Sequence, residues 1–386
     1  MASSAIDIKF KGWKHSNCRI LGENQYFYFK EPYSLEKIVS NGKRNILVVS
    51  AHQDDEIIGM GGTICLLSDG VHFPPYSTSD KMFLEWYQKN KKREYMGGLT
   101  VYSKEEIKDI QKSFAKNGIN LNLLYEEPSN VIVVYVTNGA KSEEAIVRDI
   151  ERAHMPIEQF LEQNEFKSAK ELTKFFNDIR YIEALTALNH VGGVAAIFLE
   201  YMENPDDSIK SDAPDDLAAI MHLIKPAAVY TLSPFEKKHN THRIVSNATL
   251  KAARIMGNIS LLKGYPVWNL MDLELQELVD ISSSYLRKRE AVHVHSLFGS
   301  QGPNGIGRRY EVIISINMYY AAQLEKKSRT DTDCFNAYMQ RPNLPKAMGL
   351  AEKFFDMSSL LKNNQTLRDF VCKQVNKTYL GDFPEW

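Results

Sequence analysis

The chain of 386 residues is long enough for one large domain or two modest ones. Hydrophobic residues at 44% and charged residues at 25% match ordinary globular domains and exclude disordered, fibrous and collagen-like classes. With 47 Lys plus Arg against 48 Asp plus Glu, the formal net charge of -1 removes any broad attraction to nucleic acid or an anionic membrane.

The first residues carry Asp7, Lys9 and Lys11, which break any apolar run, and no later stretch is apolar enough to span a bilayer. The sequence therefore predicts a cytoplasmic protein without a transmembrane segment. Cys18, Cys65, Cys334 and Cys372 are widely spaced and form no CxxC pair, so they read as reduced thiols. Residues 1–44 form an N-terminal extension packed on the main domain, in which QYFYF (25–29) has the composition of a short strand laid against the main sheet.

NILVVSA, from Asn45, is a continuous β-branched run of strand length, as expected of a strand buried on both faces. AHQDDEIIGMGGTICLLSDG follows, read as an acidic loop, a glycine-rich entry at Gly61 and Gly62, and a helix ending near Gly70. Residues 71–130 turn polar and form a large insertion, with SKEEIKDIQKSFAKNGI as an amphipathic helix inside it, before VIVVYVT supplies the second clear strand. A second polar insertion, 141–174, precedes DIRYIEALTALNHVGG, a helix by the spacing of Ile179, Ile182, Leu185 and Leu188. AAIFLEY is a third strand, and DDLAAIMHLIKPAAVYTLSP a further helix and strand with Lys225-Pro226 between them. Beyond Lys288 the pattern weakens to one good strand, RYEVIISI, then polar and helical material. Strands alternating with helices predict an α/β fold with a mostly parallel sheet, helices on both faces, and a C-terminal extension over 296–386.

In such a sheet ligands gather outside the carboxyl ends of the strands, where HQDDE lies. His52 and Asp55 are spaced to converge on one cation, with Asp54 a second carboxylate. A catalytic zinc needs a third protein ligand and an open position, and the best source is KKHNTHR, which brings His239 and His242 to the same sheet edge. Such an ion lowers the pKa of its water and polarises an amide carbonyl, Asp54 accepts the water's proton, and a second histidine stabilises the oxyanion or protonates the amine.

Blander readings compete with each motif. HQDDE alone is equally well a solvated acidic loop, HNTH a helix entry capped by Asn240 or Thr241, and Arg180 with Glu183 a surface ion pair. GMGGT fails as a dinucleotide fingerprint, because Asp54, Asp55 and Glu56 would repel a pyrophosphate.

AHQDDE with GMGGT resembles the AHPDDE and GCGGT signature of the PIG-L/LmbE family of zinc-dependent N-deacetylases, whose members include N-acetylglucosaminyl-phosphatidylinositol de-N-acetylase. VTNGA is similar to the family's VTDGE, RYIEALTALNHVGG to its RxxEaxxAxxxLG helix, KPAAVYTLSPFEKKHNTHR to its KPDVVYTP and HPDHR segment, and KREAVHVH to its KxxAlxxH. The ordered motifs span residues 45–295 and imply a Rossmann-like deacetylase domain. The resemblance implies that His52, Asp55 and His242 bind one Zn2+ per chain, Asp54 is the base, His239 holds the oxyanion and Arg180 contacts substrate. It also puts a substrate-contacting acidic residue in LEYMENPDD, with Glu203 the nearest match ahead of Asp206 and Asp207. Gln53 replaces the family's proline and Asn240-Thr241 its Pro-Asp, which removes a carboxylate partner of the first histidine.

The expected reaction is attack of zinc-bound water on an N-acyl, foremost N-acetyl, group of an amino-sugar or glycoside. The rival readings are an amidase of a thiol conjugate or antibiotic-type intermediate, and a catalytically silent sugar-binding protein of the same fold. A His₂Asp set also suits other divalent ions, and the sequence leaves homo-oligomerisation open.

Overall fold

The computed structural model describes residues 13–16, 26–30, 34–69, 76–77, 128–139, 150–151, 155–201, 209, 212–236, 240–267, 276–281, 284–297, 351–363 and 365–374. Their strands are β1 (Trp13–Ser16), β2 (Tyr26–Lys30), β3 (Asn45–Ser50), β4 (Tyr76–Ser77), β5 (Asn130–Thr137), β6 (Ala195–Tyr201), β7 (Ala228–Leu232), β8 (Leu262–Tyr265), β9 (Gln276–Asp280) and β10 (Ala351–Asp356). The helices are α1 (Leu35–Ser40), α2 (Asp55–Asp69), α3 (Ile157–Gln163), α4 (Ala169–Val191), α5 (Ala213–Ile224), α6 (Asn240–Met256), α7 (Tyr285–Leu297) and α8 (Leu367–Gln374).

All ten strands join one sheet in the order β1-β2-β6-β5-β3-β7-β8-β10-β9-β4. The pairs β5/β6, β3/β5, β3/β7 and β7/β8 are parallel, and every pair outside this block is antiparallel. Every residue of β3 and β5 is buried, because neither run offers a polar face and both must be covered by helices. Helices α2, α4 and α7 pack together in one group and α5 with α6 in another. Taken in chain order, the five parallel strands are arranged third, second, first, fourth, fifth, so the winding reverses between β3 and β7. Right-handed crossovers then place helices on opposite faces on either side of that point, which is the expected Rossmann-like α/β arrangement.

Local chemistry sets the ends of these helices. Ser168 caps α4 by accepting from the Glu171 N–H, and Gly192, at φ 92, closes its other end in the left-handed region. Lys225, also left-handed, ends α5 immediately before Pro226. Tyr26–Phe29 of QYFYF lie in strand β2, which adds antiparallel to β6.

Three expectations need correction. Helix α2 begins at Asp55, inside the segment read as an acidic loop, and carries the glycines within it. Helix α4 begins at Ala169, inside the segment read as a polar insertion, because Ser168 supplies a cap that hydrophobic spacing does not register. AEKFFD, read as polar material, is strand β10 between β8 and β9, with Glu352 and Lys353 fully buried. The expected strand RYEVIISI and the helix SKEEIKDIQKSFAKNGI lie outside the described residues. No helix among the described residues is long and apolar enough to cross a membrane.

The glycines of α2 are packing residues. A Cβ at Gly59 would meet the Tyr265 ring at 2.4 Å and the Pro266 carbonyl oxygen at 2.8 Å. Gly59→Ala is therefore expected to cost about 1–3 kcal/mol, as overpacking does. A denaturant midpoint lowered at unchanged m-value would show it, and a wild-type midpoint would contradict it.

Candidate metal centre

Strand β3 delivers the chain to the carboxyl edge of the sheet, where residues 51–54 turn into α2. The turn is held by the Asp55 carboxylate, whose Oδ2 accepts from the His52 backbone N–H at 2.8 Å and lies 3.1 Å from His52 Nδ1. On the other side of the winding reversal, α6 follows β7 and presents His242 from its first turn. His242 Nε2 stands 3.3 Å from Asp55 Oδ1 and 3.4 Å from His52 Nδ1.

His52, Asp55 and His242 are thus a group that can hold a metal ion. One ligand atom from each residue lies within 4.8 Å of the other two, with His52 facing one carboxylate oxygen of Asp55 and His242 the other. Asp55 and His242 are buried, whereas the His52 side chain is 20% exposed, so the open side of the group is the His52 side. Burial opposes the charge on Asp55, yet His242 and His52 outweigh it and hold the carboxyl well below its usual range.

The neighbouring carboxyl behaves oppositely. Glu56 is fully buried, accepts from the Tyr135 hydroxyl at 2.5 Å on Oε1, and receives Ser50 Oγ at 3.3 Å on Oε2. Burial is the main cause that pushes it up to about 8, against the stabilising Tyr135 hydrogen bond. Ser50 continues to the Tyr265 hydroxyl at 2.9 Å, so a buried chain of hydroxyls backs the metal group. The sequence reading missed Tyr135, Ser50 and Tyr265. Their signal is polar atoms inside otherwise apolar strands.

The other expected site residues fall as follows. Asp54 is buried beside Asp55 outside the ligand group, and its carbonyl accepts from the Ile58 N–H at 3.0 Å. Gln53 donates from Nε2 to the Thr137 carbonyl at 3.0 Å, tying the turn to the end of β5. Arg180 on α4 reaches the same strand end and donates to the Gly139 carbonyl. Gly139 has a φ of 61, and a side chain there would collide with both Gln53 and Arg180, so glycine is required. Glu183 is no surface partner of Arg180: it is fully buried, with Oε2 3.8 Å from His295 Nδ1. His239 and Glu203 lie outside the described residues. Within β6, Glu200 adopts a left-handed φ of 58 and accepts from the Tyr181 hydroxyl at 2.7 Å.

Residues 117–253 match the PIG-L family, described as GlcNAc-PI de-N-acetylase. The match covers Arg180 and His242 and bears out the resemblance read from the motifs. No curated protein matches the chain. Among solved structures, the chain is similar to N,N'-diacetylchitobiose deacetylase from Pyrococcus horikoshii, with 16% identity, 88% of this chain and 92% of that chain covered, and a TM-score of 0.47. It is also similar to the 4-carboxy-2-hydroxymuconate hydratase of Pseudomonas putida, at 15% identity, 81% and 96% coverage and a TM-score of 0.46. A zinc-inhibited form of teicoplanin deacetylase gives 13% identity, 81% and 97% coverage and a TM-score of 0.44. At these identities and scores the likenesses carry no functional weight.

Glu56 has a folded pKa of about 8 against an ordinary value of 4.5, so the fold favours its protonated form. Its contribution is complete below the unfolded pKa and is lost as pH rises towards about 8. Thermal denaturation between pH 5 and pH 9 is expected to show wild-type stability falling more steeply with pH than that of Glu56→Gln. Parallel profiles would contradict an acid held in its neutral form.

Proposed function

We propose that this chain, whose residues 117–253 match the PIG-L family, is a zinc-dependent hydrolase that removes an N-acetyl group from a small amino-sugar or glycoside. The observation that carries the reading is the convergence of His52, Asp55 and His242 at the winding reversal, with one ligand atom of each within 4.8 Å of the others. Two nitrogens and one carboxylate with an open side suit a catalytic rather than a closed structural site. A divalent ion held there supplies a Lewis acid and lowers the pKa of a nearby water.

The protein's own groups do the rest. Asp54 lies next to a ligand in sequence but outside the donor set, which leaves its carboxylate to take the proton from the attacking water. The water oxygen bonds to the amide carbon, Asp54 returns the proton to the nitrogen, and the C–N bond breaks to give acetate and a free amine. His239 stabilises the oxyanion, and Arg180, which reaches the end of β5, orients the substrate together with Glu203.

Elemental analysis of purified wild type and His242→Ala, paired with acetate release from a panel of N-acetylated amino-sugars, tests this reading. Wild type is expected to carry zinc and release acetate, and His242→Ala to lose both. Asp54→Asn should keep its metal while turnover falls about 10²–10⁴-fold. A metal-free wild type under metal-replete conditions would overturn the catalytic reading, and loss of metal in Asp54→Asn would overturn the division between base and ligand.

A further inference from the structure

Helix α2 is two helical pieces in series. At Met60 the backbone leaves helical geometry, with φ -146 and ψ 19. In an unbroken helix the Gly62 N–H would bond to the Ile58 carbonyl and the Thr63 N–H to the Gly59 carbonyl. Both N–H groups instead donate to Glu352 of β10, Gly62 to Oε1 at 2.9 Å and Thr63 to Oε2 at 2.7 Å. The Ile58 carbonyl accepts from Lys288 Nζ of α7 at 2.7 Å, and that ammonium closes the circuit on Glu352 Oε1 at 2.6 Å. An ion pair is thereby spliced into the helix's own hydrogen-bond ladder.

The charges match the ends they meet. The ammonium sits on the carbonyl end of the first piece and the carboxylate on the amide end of the second, as the helix dipole favours. The pair is almost entirely withdrawn from water, with side-chain exposures of 2% for Lys288 and 0% for Glu352. A buried pair of this kind is a poor source of net stability compared with an apolar replacement. What it does supply is geometry. The first piece is a single turn, too short to hold itself, and it begins at the ligand Asp55.

We infer that Lys288 and Glu352 are positioning residues of the metal centre, which aim the turn bearing Asp54 and Asp55 towards His52 and His242. The inference rests on the reading of that group as a metal site. It assigns a role in the site to a strand of the C-terminal extension, beyond the span of the family match.

The test is zinc affinity, measured by competition with a chromophoric chelator, alongside the melting temperature of the zinc-free protein. The double variant Lys288→Met/Glu352→Leu removes both charges together and leaves no buried ion without its partner. It is expected to melt at a lower temperature, because the Gly62 and Thr63 N–H groups and the Ile58 carbonyl lose their partners, and to bind zinc about 10- to 100-fold more weakly, as losses of supporting groups around metal ligands do. Glu352→Gln keeps one carbonyl acceptor for the two N–H groups, should fall between, and decides the question alone if the double variant does not fold. Ile220→Ala, in the core of α5, serves as a variant destabilised elsewhere. Wild-type zinc affinity in the folded double variant would overturn the inference, as would a loss no larger than that of Ile220→Ala. Absence of zinc binding by wild type would instead overturn the metal reading itself.

Discussion

Asp55 has to stay ionised while almost sealed from water, and the surrounding structure is arranged to make that possible. An unpaired buried carboxylate would simply take up a proton. Here the His52 backbone N–H and two imidazoles converge on its two oxygens. The next residue along the chain shows the alternative outcome. Glu56 meets hydroxyls rather than imidazoles and is driven towards its neutral form by burial. One helical turn therefore holds two carboxyls with opposite preferences, separated by what each side chain touches rather than by residue type.

The two imidazoles can meet only because the sheet reverses its winding between β3 and β7. The crevice opened at that point is walled by the segments following each strand, and these carry His52 and His242. The opposite ends of the same strands are closed instead. Asn45 donates to the Ile224 carbonyl, and Asn130 donates to Asn45 Oδ1 and to the Ile38 carbonyl, tying β3 and β5 to the ends of α5 and α1. The sheet thus has one fastened edge and one chemical edge.

Much of this was legible in the sequence. NILVVS and NVIVVYVT read as buried parallel strands because they offer no polar face, and the order of elements alone implied the sheet. HQDDE and HNTH each follow a strand, which pointed to His52 and Asp55 with a histidine of HNTH; the resemblance to the PIG-L/LmbE motifs implied that this is His242, and the three do converge. The break at Met60 was hidden, since its cause lies in Lys288 and Glu352, far along the chain. AEKFFD was misread for the same reason: the charge of Glu352 is neutralised by Lys288, 64 residues away in sequence. Arg180 and Glu183 looked like a surface pair by spacing, yet α4 lies against α7 and turns Glu183 inward towards His295.

The position of Glu352 has a consequence for how the protein is made. The bond from Gly62 to Glu352 joins residues 290 apart in sequence. Throughout synthesis, the turn carrying Asp55 emerges long before the strand that braces it. The nascent chain can form β3 and begin α2, but the break in that helix stays unbraced until β10 has left the ribosome and docked between β8 and β9. Closing so long a loop is a late step in folding. A fully braced set of ligands thus requires β10, and an ion bound there would also report that this strand has docked.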